Sequence, residues 1–187
     1  HPHVGRTERG HTIAVVHNGI IENYAVIRQY LEGKGVEFVS ETDTEVIAKL
    51  IATLYEGDLE RAVQNALREV TGAYAIAVIC DHEPHTLVAA RNGAPLMVGL
   101  ADTAYIVASD ASAIISHTTQ VVTLDDYQVC RLCAGPRDKN HAMPWAEPFR
   151  TTTIDNVPVT SEVTELEMDL QQISLGDYEH YMLKEIM

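Results

Sequence analysis

The sequence of residues 12–24 reads TIAVVHNGIIENY, and it sets the fold prediction for this chain. Residues 12–17 form a β-branched, apolar run of strand length. The apolar residues then continue at helical intervals, at Ile20, Tyr24, Ile27 and Leu31. We therefore predict a strand that leads through Asn18 and Gly19 directly into a helix.

Two further helices are predicted after this one. Residues 37–39 read as a short strand, and Thr42 or Asp43 can cap the helix that follows. That helix carries an apolar face formed by Val46, Ile47, Leu50, Ile51 and Leu54. A third helix follows Asp58, and its predicted inward residues are Leu59, Ala62, Val63, Ala66, Leu67 and Val70.

After Gly72 the pattern changes to short apolar runs separated by turn residues, which is typical of antiparallel meanders. The predicted strands are 73–80, 86–91, 96–100 and 104–108, then a hairpin of 120–124 and 127–132, and a half-buried strand at 162–170. We interpret residues 134–149 as a loop or a sheet edge and residues 178–187 as the start of a helix. Helices followed by many strands indicate an α+β domain in which helices pack on antiparallel sheet.

Composition limits the classes of function. The 187 residues are 46% hydrophobic, enough for one domain with a sizeable core. The formal net charge of −14 and the lack of Lys and Arg clusters argue against nucleic acid as a partner. No apolar run approaches the roughly 20 residues that cross a bilayer. We expect a cytoplasmic protein that uses no membrane.

The three cysteines, Cys80, Cys130 and Cys133, do not form a disulfide framework in a chain of this length. The Cys130-x-x-Cys133 spacing invites a metal or redox interpretation. However, it falls within a predicted strand, where side chains three residues apart point to opposite faces. We therefore expect packing cysteines and no metal site.

Asn18-Gly19 has two interpretations. It is the commonest tight-turn dipeptide, but a hairpin turn should lead into a strand, whereas here a helix is predicted. Gly19 lets a ligand approach its backbone N–H, and the Asn18 amide can donate beside it. Two such donors can stabilise an oxyanion, worth roughly 3 kcal/mol for one donor.

Asp43 and His1 are the other candidates for a site. Asp43 can serve as an ordinary helix cap, but its carboxylate can also bind an ammonium group. His1 and His3 flank a proline, with His11 and His17 nearby, yet no Asp or Glu stands at ligand spacing. We interpret these histidines as surface or packing residues and predict no metal ligand among them.

Taken together, the segments at 17–24 and 40–47 resemble the glutaminase domain of the glutamine–fructose-6-phosphate aminotransferase family, also called glucosamine-6-phosphate synthases. These are class II glutamine amidotransferases. The resemblance continues through the motifs Gly72-Ala73-Tyr74, Gly93-Ala94-Pro95-Leu96, Ala108-Ser109-Asp110 and the terminal run His180 to Ile186. Other class II amidotransferases share only a looser version of the first two segments.

The resemblance implies a four-layer αββα sandwich of the N-terminal nucleophile hydrolase type. It implies that Asn18 and Gly19 form the oxyanion hole, that Asp43 holds the α-ammonium group of glutamine, and that His1 lines the same pocket. It implies no cofactor. The acceptor would be fructose 6-phosphate, bound by a further domain, and the parent protein would be a homo-oligomer.

The family's nucleophile is an N-terminal cysteine, which the resemblance places upstream of His1. None of Cys80, Cys130 and Cys133 is N-terminal, so we expect this chain alone to release no glutamate. Residues 1–175 would be a partial amidotransferase domain, incomplete at its N-terminus, and 176–187 the start of a linker. The alternatives are another class II amidotransferase with a different acceptor, or a non-catalytic glutamine-binding module.

Overall fold

The computed structural model describes residues 1–133 and 149–166 as two antiparallel sheets with a layer of helices. The helices are α1 (Tyr24–Gly33), α2 (Asp43–Thr53) and α3 (Leu59–Arg68). The strands are β1 (His3–Arg6), β2 (Thr12–Ile21), β3 (Gly72–Cys80), β4 (Thr86–Asn92), β5 (Met97–Leu100), β6 (Tyr105–Ala108), β7 (Gln120–Thr123), β8 (Gln128–Cys133), β9 (Phe149–Thr153), β10 (Pro158–Val159) and β11 (Thr164–Glu165). The predicted α+β class is confirmed.

The first sheet has seven strands in the order β1-β2-β3-β4-β8-β9-β10, and every paired neighbour is antiparallel. One face packs under the helices. Because strand side chains alternate, Ile76 and Val78 of β3 lie in the helix-side core, whereas Ala75 lies in the core on the opposite face. The amphipathic faces predicted for α2 and α3 supply most of the helical half of the first core.

The second sheet has four strands in the order β11-β7-β5-β6. It packs against the first sheet through a smaller core that includes Val98 and Val122 from its own strands and Ala89 and Cys130 from the first sheet. A short 3-10 helix, Ala111–Ala113, precedes Ile114, whose side chain lies over Gly99 of β5. Residues 93–127 therefore form an excursion, because β4 and β8 on either side of them pair directly with each other.

The predicted junction at Asn18-Gly19 is wrong in one respect. The strand continues through both residues to Ile21, with Asn18 opposite Ala75 and Gly19 opposite Tyr74. Helix α1 begins only at Tyr24, and Ile20 is 71% exposed. Apolar spacing alone placed Ile20 in the helix, but the hydrogen-bonded pairing with β3 keeps it in the strand. Ile27 and Leu31 are buried as predicted.

Two other local predictions are wrong. Residues 37–39 form no strand, because the backbone N–H of Val39 donates to the carboxylate of Glu45. The predicted hairpin across Asp125-Asp126 joins two strands of different sheets, since β7 belongs to the second sheet and β8 to the first. Alternating apolar residues predict a strand but do not identify its partner.

Some predictions concern residues that lie outside the described ranges. These are the loop over most of 134–149, the later part of the strand at 162–170 and the helix at 178–187; of the strand, Thr164–Glu165 is described as β11. In residues 1–133 and 149–166, no helix has the length and apolar character needed to span a membrane.

Candidate functional site

The N-terminus of α2 is attached to the end of β2 by Asp43. Its Oδ2 accepts a hydrogen bond of 2.9 Å from the backbone N–H of Ile21, and its Oδ1 lies 4.0 Å from Nδ1 of His17. The helix cap is Thr42, whose hydroxyl accepts from the N–H of Glu45 at 3.3 Å. Asp43 is thus released from capping, and its carboxylate is 24% exposed beside β2.

Asn18 and Gly19 lie on the exposed part of the same strand, three and two residues before Ile21 respectively. Gly19 has φ of 135°, which side-chain-bearing residues rarely adopt. A Cβ there would lie 2.1 Å from the carbonyl oxygen of Ala73, so only glycine fits. The structure therefore brings Asp43 and the Asn18-Gly19 pair to the same end of β2.

His17 lies between these groups and points toward the helices, opposite to Asn18. Its side chain is only 2% exposed, and its Nδ1 is 3.1 Å from the hydroxyl of Thr44. Burial lowers the pKa of His17, although the nearby charge of Asp43 opposes this effect. The imidazole is accordingly neutral at pH 7. Its Nε2 is buried and has no hydrogen-bond partner within the described ranges.

His1 reaches this region only through a neighbour. Its ring contacts that of His3 edge-on, with centroids 5.4 Å apart, and the ring nitrogens of His3 lie 3.4 and 3.5 Å from the hydroxyl of Thr42. His1 itself is exposed and precedes β1. Within the described residues, His3 therefore lies beside the start of α2, and His1 contacts His3.

The loop that precedes α2 is organised by Glu45, which the sequence analysis did not single out. The two oxygens of its carboxylate accept from the N–H of Val39 at 2.9 Å, the N–H of Ser40 at 2.6 Å and the hydroxyl of Ser40 at 2.5 Å. The spacing Thr42-x-x-Glu45 is that of a capping box, and this signal could have indicated the residue. In this structure the Glu45 carboxylate reaches beyond the cap residue to Val39 and Ser40.

The cysteines lie away from this site. Cys80 pairs with Ile13, at the other end of the β2–β3 ladder from Gly19. Cys130 is fully buried, and burial raises the pKa of its thiol to about 12, so its reactive thiolate form is scarce. Cys130 and Cys133 both belong to β8, as predicted, and no cluster of metal-ligating side chains is present among residues 1–133 and 149–166.

This arrangement can bind a zwitterion that carries an amide. The Asp43 carboxylate suits an ammonium group, and the Asn18 amide can donate to an oxygen that becomes negatively charged. The donors and the carboxylate belong to different elements, β2 and α2, and the Asp43 to Ile21 hydrogen bond fixes one against the other.

Comparison with known proteins also points to chemistry on glutamine. Residues 4–116 match the sequence profile of the glutamine amidotransferase domain. Three curated relatives, from Chlorobaculum tepidum, Symbiobacterium thermophilum and Clostridium perfringens, are named glutamine–fructose-6-phosphate aminotransferase [isomerizing]. They are 42%, 43% and 44% identical to this chain over its whole length. The chain spans 28% of the length of each.

Solved structures with the same fold include a glutamine phosphoribosylpyrophosphate amidotransferase from B. subtilis complexed with ADP and GMP. It superposes with a TM-score of 0.66 at 24% identity, over 82% of this chain and 31% of that one. A structure of the allosteric regulatory enzyme of purine biosynthesis gives the same values. At this identity the likeness concerns the fold, and it confirms the predicted α+β sandwich of the N-terminal nucleophile hydrolase type.

The profile match runs from β1 to the residues after the 3-10 helix, and it covers the whole of the helical layer and β2, the strand that carries Asn18 and Gly19. His1 lies outside the matched range, whereas Asn18, Gly19 and Asp43 lie within it. On this evidence, the chain belongs to the glutamine amidotransferase domain family.

Proposed function

We propose that this chain is the glutamine-hydrolysing part of a glutamine–fructose-6-phosphate aminotransferase, which makes glucosamine 6-phosphate and glutamate. The observation that carries the proposal is the hydrogen bond from Ile21 to Asp43, which holds a carboxylate at the end of the strand that presents Asn18 and Gly19. A glutamine amide and its α-ammonium group require these two kinds of partner on one site.

In this proposal Asn18 and the backbone N–H of Gly19 form the oxyanion hole, and Asp43 binds the α-ammonium group. His1 lines the outer part of the pocket. Donors preorganised toward a developing oxyanion stabilise the transition state more than the substrate, whereas a salt bridge to the ammonium group stabilises both. Asn18 and Gly19 therefore contribute to the rate and Asp43 to affinity.

The attacking thiolate is supplied by a cysteine other than the three in this sequence. Cys130 is buried with a raised pKa, and Cys80 is buried at the far end of β3. Asn18 lies on the face of the first sheet that points away from the helices. The nucleophile would approach the glutamine amide from that side.

The acceptor is taken from the relatives. The relatives named glutamine–fructose-6-phosphate aminotransferase align with the whole of this chain, and this chain spans 28% of their length. Ammonia released at this site would thus be passed to fructose 6-phosphate bound elsewhere in the complete protein. We further propose that the complete protein is a cytoplasmic homo-oligomer, which cell fractionation and light scattering of the complete gene product can test.

The identity of the acceptor is tested with the complete gene product. Incubated with glutamine and fructose 6-phosphate, it should form glutamate and glucosamine 6-phosphate in equal amounts. Formation of glutamate only when phosphoribosyl pyrophosphate replaces fructose 6-phosphate would contradict the acceptor and keep the amidotransferase activity. If glutamine binds but no glutamate forms under either condition, the chain is a binding module.

The role of Asp43 is tested by Asp43→Asn, with Asp81→Asn as a matched control. Both carboxylates accept a 2.9 Å hydrogen bond from a backbone N–H of β2, Asp43 from Ile21 and Asp81 from Thr12 at the opposite end. We expect Asp43→Asn to raise KM for glutamine by roughly tenfold or more with a smaller change in kcat. Asp81→Asn should leave both constants within about twofold of the parent.

If both variants raise KM equally, the effect comes from loosening of β2, and the ammonium-binding role of Asp43 is wrong. If neither changes KM, the site lies elsewhere in the protein. Thermal unfolding of both variants shows whether each retains the fold.

A further inference from the structure

We propose that Glu45 is a positioning residue for glutamine: it fixes the loop of residues 39–42 and thereby sets the place of Asp43 at the substrate. Glu45 does not reach the substrate itself. It acts through the backbone that precedes α2. The proposal rests on the amidotransferase function proposed above and adds a residue that determines how that site is assembled.

Glu45 is buried, with 2% of its surface exposed, although it carries a carboxylate. A buried carboxylate requires partners that compensate the loss of hydration. It has four: the N–H groups of Val39 and Ser40, the Ser40 hydroxyl, and the ammonium group of Lys49 at 2.9 Å. Three of these belong to the loop, so the charge of Glu45 is satisfied only while the loop holds this conformation.

Two cations also hold this loop and the residues just before it. Arg28 of α1 donates to the carbonyl oxygen of Ser40 at 2.8 Å, and Lys49 donates to the carbonyl of Glu37. Both cations also lie over the ring of Phe38, at 4.5 Å and 4.8 Å from its centroid. The loop therefore has a set conformation although it forms no strand.

The link from Glu45 to the site passes through two hydroxyl groups. The Ser40 hydroxyl is 2.5 Å from Glu45 and 3.0 Å from the hydroxyl of Thr42. Thr42 caps α2, and Asp43 is the first residue of that helix. A shift of Ser40 would move Thr42 and the start of α2 with it. This would change the direction of the Asp43 carboxylate, which accepts a hydrogen bond from the N–H of Ile21.

A purely structural role is the simpler reading, because a buried charge network also holds a helix in place. Glu60 of α3 supplies a comparison for this reading. It is also 2% exposed, it also lies in the first turn of a helix, and it pairs with Arg150 and accepts from Thr152 of β9. Its partners lie on the first sheet, away from β2 and α2.

The experiment compares Glu45→Gln with Glu60→Gln in the complete gene product. Each change removes one buried charge and preserves the side-chain shape. We expect Glu45→Gln to raise KM for glutamine by about tenfold with kcat within about twofold, since positioning of the ammonium partner affects binding in both states. Both variants should lower Tm by similar amounts, but Glu60→Gln should leave KM for glutamine within about twofold of the parent.

Ser40→Ala is the second variant, and it keeps the proposal testable if Glu45→Gln fails to fold. It removes the hydroxyl that joins Glu45 to Thr42, and we expect a rise in KM of about threefold without a comparable fall in Tm. An unchanged KM in either folded variant, or equal rises in KM for Glu45→Gln and Glu60→Gln, would overturn the proposal. If the parent protein neither binds nor hydrolyses glutamine, that result contradicts the proposed amidotransferase function, and the role of Glu45 falls with it.

Discussion

Helices α2 and α3 begin in the same way and serve different ends. Each has a side-chain cap that accepts from the third residue of the helix, Thr42 at 3.3 Å and Asp58 at 3.0 Å. Each also buries a glutamate in its first turn, Glu45 or Glu60, beside a cation. Glu45 turns back to the loop before its own helix, whereas Glu60 reaches across to the sheet.

This difference shows how one local device can have two roles. The network of Glu60 joins α3 to β9 through Arg150 and Thr152, and Gln64 extends it with a hydrogen bond of 3.0 Å to Thr152. The network of Glu45 stays within the loop and α2, where Lys49 is its cation. The first network attaches a helix to the sheet, and the second shapes the loop that leads to Asp43.

The test with the largest expected effect compares two glycines, Gly19 in the strand beside α2 and Gly57 just before α3. Gly19 and Gly57 both have positive φ, at 135° and 108°, but only Gly19 is confined, with 2.1 Å between an added Cβ and the Ala73 carbonyl oxygen. We expect Gly19→Ala to lower the free energy of unfolding by about 4 kcal/mol, because the β2–β3 pairing must open. Gly57→Ala, with open space beside it, should cost only about 1 kcal/mol of conformational strain.

Urea unfolding of both glycine variants measures these changes. Equal losses of stability would mean that conformational strain, and not contact with β3, decides the cost at Gly19. In that case the close contact at Gly19 would not distinguish its surroundings in β2 from the open space at Gly57 before α3.

The second test is acid unfolding. Burial alone would raise the pKa of Glu45, but hydrogen bonds from Ser40, Val39 and Lys49 outweigh it and lower the pKa from 4.5 to about 2. Between these two pH values the unfolded chain binds a proton that the folded chain does not. The contribution of Glu45 is thus complete above pH 4.5 and is lost as the pH falls toward 2, on the order of 3 kcal/mol in total.

The measurement is urea unfolding at several pH values for the parent and for Glu45→Gln. The parent should lose more stability than the variant over this range. Parallel curves would show that the loop does not hold the carboxylate in its ionised form.

The smallest test concerns the caps. Thr42→Ala and Asp58→Ala each remove one accepted hydrogen bond at a helix start, and each should lower the free energy of unfolding by about 1 kcal/mol. Only Thr42→Ala should also raise KM for glutamine, since Thr42 lies between Ser40 and Asp43. A rise in KM for Asp58→Ala would show that the site responds to any loosening of the helical layer.

The sequence was sufficient for the elements with strong periodicity. The inward residues of α2 and α3 and most strand positions were predicted, because an amphipathic face or a β-branched run is a local property. Asn18, Gly19 and Asp43 each have an ordinary alternative, a tight turn or a helix cap, and they were singled out because their two segments together resemble the glutaminase domain. The proximity of Asp43 to β2, through Ile21, is a finding of the structure.

The errors have a common cause in pairing. Ile20 follows helical spacing, yet it remains in β2 because its partner Ala73 is available on β3. Residues 37–39 have strand-like side chains, but Glu45 takes the N–H of Val39. In both places a partner outside the segment decides the backbone conformation, Ala73 far along the chain in one case and Glu45 six residues away in the other.

The excursion of residues 93–127 also sets an order of events in folding. β4 and β8 pair through Arg91 opposite Gln128, so the chain returns beside the strand that it left. The ladder from β1 to β4 and the three helices can form from a continuous stretch of chain, whereas β8 must wait until a loop of this length closes. We expect amides of β3 to gain protection from hydrogen exchange before those of β8, and a nascent chain ending at Asn92 to hold the Asp43 to Ile21 contact already.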